Sequence, residues 1–287
     1  MSKTKMRRNR NKLVNGVIYA ILIFLGVLWI LPIGYLVYTA FRVSPSTGII
    51  NSLFPENLRL GFENFRRLFS ETAFARWLVN TLVVSVASCA LTTLFILMVS
   101  YALSKMRFRF RRPMMNVLLV LGMFPGFMSM IAIYFILKAM GLTDSLLALV
   151  LVYSGGAALS YYVCKGFFDT IPRSMEEAAI LDGASQLSVL LKVVLPLAKP
   201  IIVYTIITSF IAPWCDFIFV NTIISDREKY TVALGLYKLI NAEKSSFNDN
   251  FTVFCAGAFL IGGIIVTLFM SVQRYYVEGV TSGAVKG

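Results

Sequence analysis

Histidine is absent from all 287 residues, which removes the commonest general base and metal-ligating side chain. Cysteine occurs four times, at Cys89, Cys164, Cys215 and Cys255, each within or at the end of a different apolar block and never as a CxxC pair. Such residues pack as small apolar groups between helices, and neither a metal ligand set nor a disulfide framework is expected. No GxxxxGKS/T phosphate loop occurs, so the chain carries no recognisable nucleotide site of its own. A membrane-embedded enzyme is disfavoured on the same grounds, and no catalytic residue stands out.

Charge is scarce too. Lys, Arg, Asp and Glu make up 14% of the chain, against roughly a quarter in ordinary soluble domains. What is there is hydrophobic, 58% of residues, in blocks of about twenty that can cross a ~30 Å hydrocarbon layer as helices. Six transmembrane helices are expected, at about 14–40, 77–103, 114–137, 146–168, 200–224 and 251–273, giving an all-α membrane protein. The first block follows a basic tail, exceeds a signal-peptide core and shows no small-residue cleavage pattern near Trp29–Leu31, so it reads as an uncleaved span.

Basic residues orient the spans. Lys3, Lys5, Arg7, Arg8, Arg10 and Lys12 precede the first, and Lys105, Arg107, Arg109, Arg111 and Arg112 follow the second, with no acid in either group. Both clusters belong on the cytoplasmic side, which places the N and C termini and the 169–199 loop there. The opposite loops mix signs, with Glu56, Glu63 and Glu71 in one and Asp226, Glu228, Glu243 and Asp249 in the other. The net charge of +13 therefore serves membrane lipid head groups and topology, and no nucleic-acid partner is expected. In outline, 1–13 is a basic cytoplasmic tail, 14–76 the first span and an outer loop, 77–275 a transmembrane core holding the 169–199 loop, and 276–287 a cytoplasmic tail.

The most informative stretch runs from Pro172 to Pro200. Ser174, three residues before Glu177, reads as a capping box, in which hydroxyl and carboxylate satisfy backbone N–H groups at a helix start. Ala179 and Gly183, four apart, share a nearly flat face that a partner's groove can approach closely. A helical pattern resumes through Leu187, Leu190, Leu191 and Val194 until Pro196 stops it. The pattern is that of a docking element held out to water.

These residues carry a likeness. Glu177-Ala178-Ala179, Gly183, Val193 and Leu195-Pro196 resemble in spacing the Glu-Ala-Ala hallmark of the integral membrane subunits of bacterial ATP-binding-cassette (ABC) importers, with Val where that family has Ile. Asn80-Thr81-Leu82, Phe124-Pro125, Gly141-Leu142-Thr143-Asp144, Lys165-Gly166-Phe167-Phe168 and Gln273-Arg274-Tyr275-Tyr276 resemble the maltose-type carbohydrate branch. The Gly-rich end and the lack of a long outer insertion resemble the smaller of that branch's two membrane subunits. Cys215 departs from a Trp-Asn-Asp run, and Gly262-Gly263 from a Pro common in the last span.

The resemblance implies a type I ABC importer permease fold and a transport subunit that is no enzyme and has no cofactor of its own. A second permease subunit would complete the pore, two ATPase subunits holding ATP-Mg would dock below, and an extracytoplasmic solute-binding protein would deliver a maltodextrin-like oligosaccharide. Glu177, Ala178, Ala179, Asp182, Gly183 and Pro196 would form the ATPase-coupling element, with Gly183 bare where two backbones nearly touch. Gly283, Ala284, Val285, Lys286 and Gly287 would form an ATPase-facing tail. The same architecture serves other sugars, polyols and glycerol phosphate. An ion-coupled secondary carrier is the rival, opposed by the lack of paired intramembrane carboxylates and of a visible inverted repeat.

Asp216 is the one acid well inside an apolar segment, where an Asp costs roughly 2.5–3.5 kcal/mol to insert. It reads either as a pathway or inter-subunit hydrogen-bonding group near the outer mouth, or as a carboxylate reaching for head groups. Tyr134, Tyr153, Tyr204 and Trp214 are candidates for stacking on sugar in the translocation pathway, although aromatics also anchor helices at membrane interfaces. Pro125 with Gly122 and Gly126, Gly155-Gly156, and Pro213 interrupt three consecutive spans, as hinges or as packing positions. The outer loop from Ser225 to Asn250 would, by resemblance, probe the binding protein; otherwise it is a solvated connector.

Overall fold

The structure, a computed structural model, describes residues 2–43, 59–123, 126–156, 158–241 and 246–281. In chain order the elements are α1 (Ser2–Phe41), β1 (Arg42–Val43), β2 (Arg59–Leu60), α2 (Glu63–Glu71), α3 (Phe74–Lys105), α4 (Arg111–Met123) and α5 (Gly126–Ala139). They continue with α6 (Leu146–Gly155), α7 (Ala158–Thr170), α8 (Arg173–Leu181), α9 (Gln186–Val189), α10 (Leu195–Leu197), α11 (Lys199–Cys215), α12 (Ile218–Ile223), α13 (Val232–Asn241) and α14 (Ser246–Thr281). A π turn over Leu190–Val194 joins α9 to α10.

Among the described residues, three helical stretches are long and apolar enough to cross a bilayer by themselves: Val14–Phe41, Phe74–Lys105 and Asn250–Gln273. Three bent pairs are long and apolar enough when taken together: α4 with α5 at 105°, α6 with α7 at 43°, and Gln186–Leu197 with Lys199–Cys215 at 84°. Counting each pair as one span gives six. The first two breaks fall beside Gly122 and Gly126, and at Gly155-Gly156; Pro125 itself lies outside the described residues. The third break falls at Ala198, ahead of the expected 200–224 span rather than within it. Pro213 lies buried inside α11, and the expected 200–224 helix is interrupted instead at Asp216 and Phe217, between α11 and α12.

The chain divides into two units, residues 1–72 with 239–260, and 73–238 with 261–287. In the first, Leu36, Ala40 and Phe41 of α1 pack with Phe65 of α2 and with Phe251, Phe254, Cys255, Ala256 and Phe259 of α14. The Asn64 side chain donates to the Ala40 and Arg42 carbonyls at 2.9 and 2.8 Å, satisfying groups that the end of α1 leaves without helical donors. From Val14 to Ile33 the large apolar side chains of α1 are exposed on every side, the pattern of a helix whose solvent is lipid.

The second unit is built on α3, which packs along α6, α7 and α11. Its buried stripe is small and polar: Thr81, Ser85, Ser88, Thr92, Ser100 and Ser104 recur at helical spacing. Small residues let backbones approach, and hydroxyls find carbonyls across the interface. Thr92 donates to the Tyr153 carbonyl at 3.3 Å and Ser100 to the Tyr161 carbonyl at 3.0 Å. Tyr153 lies just before the break between α6 and α7, where an interrupted membrane helix needs substitute donors.

Candidate functional site

The expected coupling element contains a helix, α8, held on a buried base. Its N-terminus corrects the expected capping box: α8 starts at Arg173 after Pro172, with no side-chain cap. Ser174 is therefore already inside the helix. Proline at the cap fixes the entry and α8 needs one donor fewer satisfied. The C-terminus is closed by a Schellman arrangement, with Gly183 N–H to Ile180 O and Ala184 N–H to Ala179 O, each at 3.0 Å. Gly183 sits at φ +84°, a left-handed conformation that glycine adopts without strain. It follows the helix rather than sharing a helical face with Ala179. A β-carbon there would meet nothing of this chain within 4 Å, so the backbone turn alone already calls for glycine.

Glu177, Ala178, Asp182 and Gly183 are exposed, together with Met175, Ile180 and Leu181, the last 87% exposed. Buried beneath them is Glu176, whose Oε1 lies 2.5 Å from Lys105 Nζ. Sequence reasoning chose Glu177 and passed over its neighbour. The legible signal was Lys105, a cation ending an apolar span, which needs a counter-charge wherever protein covers it.

Pro196 does not stop the following helix. The chain widens into the π turn, in which Leu195 N–H reaches back five residues to Leu190 O, and Pro196 rides inside α10. A wider turn accommodates a ring that would clash with the carbonyl four residues earlier. The helix ends at Ala198 instead (φ −92°, ψ 11°). Val189, Leu190, Val194 and Ala198 are buried against Ile96, Tyr101, Cys164 and Phe168. Between α8 and α10 lies a groove of about 660 Å³ whose walls include Ala178, Ala179, Asp182 and Pro196. The structure thus brings four of the six coupling candidates around one depression. Glu177 and Gly183 lie beside it; 283–287 lie outside the described residues.

Among the pathway candidates, Tyr153 and Asp216 meet. The Tyr153 hydroxyl donates to Asp216 Oδ2 at 3.0 Å, and Asp216 Oδ1 accepts the Phe219 N–H at 3.0 Å. Asp216 sits in the non-helical break and secures the start of α12, so its carboxylate is satisfied within the chain. Trp214 is 3% exposed and lies against Phe210. Tyr134 packs on Phe135, and Tyr204 is half-buried. Cys89, Cys164 and Cys255 are buried free thiols and Cys215 an exposed one; among the described residues no His, Cys, Asp and Glu cluster suits a metal ion.

Two of the quoted motifs turn out to be clamps on the 224–232 segment. Asn80 donates to the Glu228 and Tyr230 carbonyls at 2.8 and 3.0 Å. Thr81 Oγ1 accepts the Val232 N–H at 2.9 Å, and Arg76 pairs with Glu228. Asp144, at φ +58°, accepts the Ser225 and Asp226 N–H groups at 2.9 and 3.0 Å. Those bonds, the Asp226 amide foremost, with Lys229 alongside, hold its carboxyl below the usual range. The 224–241 part of the outer loop is therefore a bound segment carrying α13, not a loose connector.

The chain is similar to known proteins along most of its length. The family described as "Binding-protein-dependent transport system inner membrane component" matches residues 96–280, and the chain belongs to it. Curated relatives include a galactooligosaccharide transport permease of Bacillus subtilis, 31% identical over 94% of each chain. A maltodextrin transport permease of Streptococcus pneumoniae is 32% identical over 97% of this chain and 98% of its own. The maltose/maltodextrin permease MalG of Escherichia coli is 32% identical over 74% and 72%. In fold, the chain is similar to a chain of a crystal structure of a bacterial ABC transporter importing the acidic polysaccharide alginate (TM-score 0.76, 24% identity, covering 93% and 98%). The protein is thus an all-α, multi-pass permease of the cytoplasmic membrane, of the maltose type of ABC importers, and its relatives are transport permeases.

Proposed function

We propose that the chain forms half of the pore of an ATP-driven, binding-protein-dependent importer of an oligosaccharide, maltodextrin or a close relative. The observation that carries this reading is α8 itself: a short helix, closed by Gly183, that leaves Met175, Ile180 and Leu181 exposed while Glu176 is buried against Lys105. Exposed apolar side chains on an element so firmly based suit a protein partner rather than water. That partner is an ATPase subunit carrying ATP-Mg, present twice per complex, with a second permease subunit beside this one and a solute-binding protein outside. The sugar class follows the relatives named above for maltodextrin and galactooligosaccharides. Uptake of labelled maltodextrins and galactooligosaccharides by cells with and without the chain tests it. Chain-dependent uptake that stops on ATP depletion supports the reading. Uptake that persists on ion gradients returns the secondary carrier, and uptake of polyols or glycerol phosphate alone reassigns the solute.

A further inference from the structure

We infer that the last turn of α3 is the joint through which α8 moves the transmembrane core, with Lys105 and Glu176 as its positioning residues. The inference rests on the reading that α8 receives an ATPase. Tyr101, Ser104 and Lys105 are three and four residues apart, so they share one face of α3. Each reaches a different point of the coupling loop. The Ser104 hydroxyl donates to Asp169 Oδ1 at 2.6 Å, before α8. Lys105 Nζ donates to the Ile171 carbonyl at 2.9 Å and lies 2.5 Å from Glu176 Oε1. The Tyr101 hydroxyl donates to Gln186 Oε1 at 3.2 Å, after α8. Asp169 is further held by Lys165, and the Ser104 carbonyl by Arg111 at 3.2 Å.

The position of Lys105 makes this more than an anchorage. Between α7 and α8 the chain passes through Pro172 in an extended conformation (φ −58°, ψ 131°). Ile171 and Pro172 are the two residues between the helices, and because the ring holds φ of Pro172, a push on α8 would be absorbed by rotation about its ψ. Lys105 bridges that residue, holding the Ile171 carbonyl on one side of it and the Glu176 carboxylate on the other. Displacement of α8 is passed to α3, and α3 packs along α6, α7 and α11. The side chains of Lys105 and Glu176 are 4% and 10% exposed. An ion pair so desolvated adds little stability over an apolar pair of the same size. What two opposite charges supply here is a fixed direction and register between the helices.

The test uses the full complex, purified with its ATPase, reconstituted in vesicles with binding protein and solute, and assayed for ATP hydrolysed per solute imported. Lys105→Met and Glu176→Gln are expected to retain the ATPase and hydrolyse ATP while uptake falls roughly ten- to a hundredfold, raising the ATP-to-solute ratio. Lys105→Arg is expected to keep the wild-type ratio. A wild-type ratio in both Lys105→Met and Glu176→Gln overturns the joint. So does loss of the ATPase from both, which makes the pair a determinant of assembly. Wild-type chain that recovers no ATPase at all overturns the underlying reading instead.

Discussion

The indole of Trp77 lies against the α-carbon of Gly235, so closely that a β-carbon at 235 would run into Cδ2 and Cε3 of the ring. This contact seats α13 on the start of α3, and the Gly235 N–H to Thr231 O bond at 2.8 Å begins that helix. Gly235→Ala is expected to destabilise the protein by about 1–3 kcal/mol, the usual range for overpacking. Thermal unfolding in detergent reads it, and Trp77→Leu combined with Gly235→Ala should recover part of the loss. A Gly235→Ala protein as stable as wild type would show that the ring is free to move aside.

Gly183 separates two explanations of one glycine. If the left-handed turn is what matters, Gly183→Asn should assemble better with the ATPase than Gly183→Ala, because Asn tolerates that conformation and Ala is strained by about 1–2 kcal/mol. Equal failure of both would mean that a partner's backbone, not the turn, demands the bare position. Recovery of ATPase with each tagged variant measures this.

Asp144 gives the outer clamp a pH dependence. Its folded carboxyl titrates below the ordinary 3.8, so its bonds stabilise the fold above that value, and the contribution is lost as pH falls through the lower folded one. Asp144→Asn keeps a residue that accepts positive φ but cannot titrate. The unfolding midpoint of wild type should therefore fall more steeply than that of Asp144→Asn as pH drops from 5 toward 3. Parallel slopes would show that the Ser225 and Asp226 amides do not hold the carboxylate in solution.

The Tyr153–Asp216 hydrogen bond predicts that Tyr153→Phe and Asp216→Asn are not additive. A double-mutant cycle on unfolding stability should return a coupling of about 0.6–1.7 kcal/mol, the range found between membrane helices. Strict additivity would mean that the two side chains do not meet.

Much of this was legible in the sequence, and the gaps have physical causes. The apolar blocks placed the stretches Val14–Phe41, Phe74–Lys105 and Asn250–Gln273 within a few residues, because a long apolar run has one stable outcome in lipid. The fifth span was misjudged at its outer end. Hydropathy does not register that Asp216 can leave the helix and find Tyr153 and the Phe219 amide inside the same chain. In the 169–199 loop, the Glu-Ala-Ala spacing located α8, yet Ser174 and Glu177 do not cap it, because Pro172 already sets the entry. Pro196 looked like a stop, but a π turn carries the helix past it. Glu176, Asp144 and Asn80 act through partners 71, 81 and 148 residues away, which no local pattern reveals.

The measurement closest to the central claim is ATPase recovery with the tagged chain from its native membrane, wild type against Gly183→Asp, with membrane insertion checked in both. If α8 and its glycine turn join the ATPase, wild type brings the ATPase, a second membrane subunit and a solute-binding protein. Gly183→Asp should then insert normally and arrive without the ATPase. ATPase recovered at the wild-type level with Gly183→Asp and also with Gly183→Ala, which strains the turn, would contradict α8 as the coupling element.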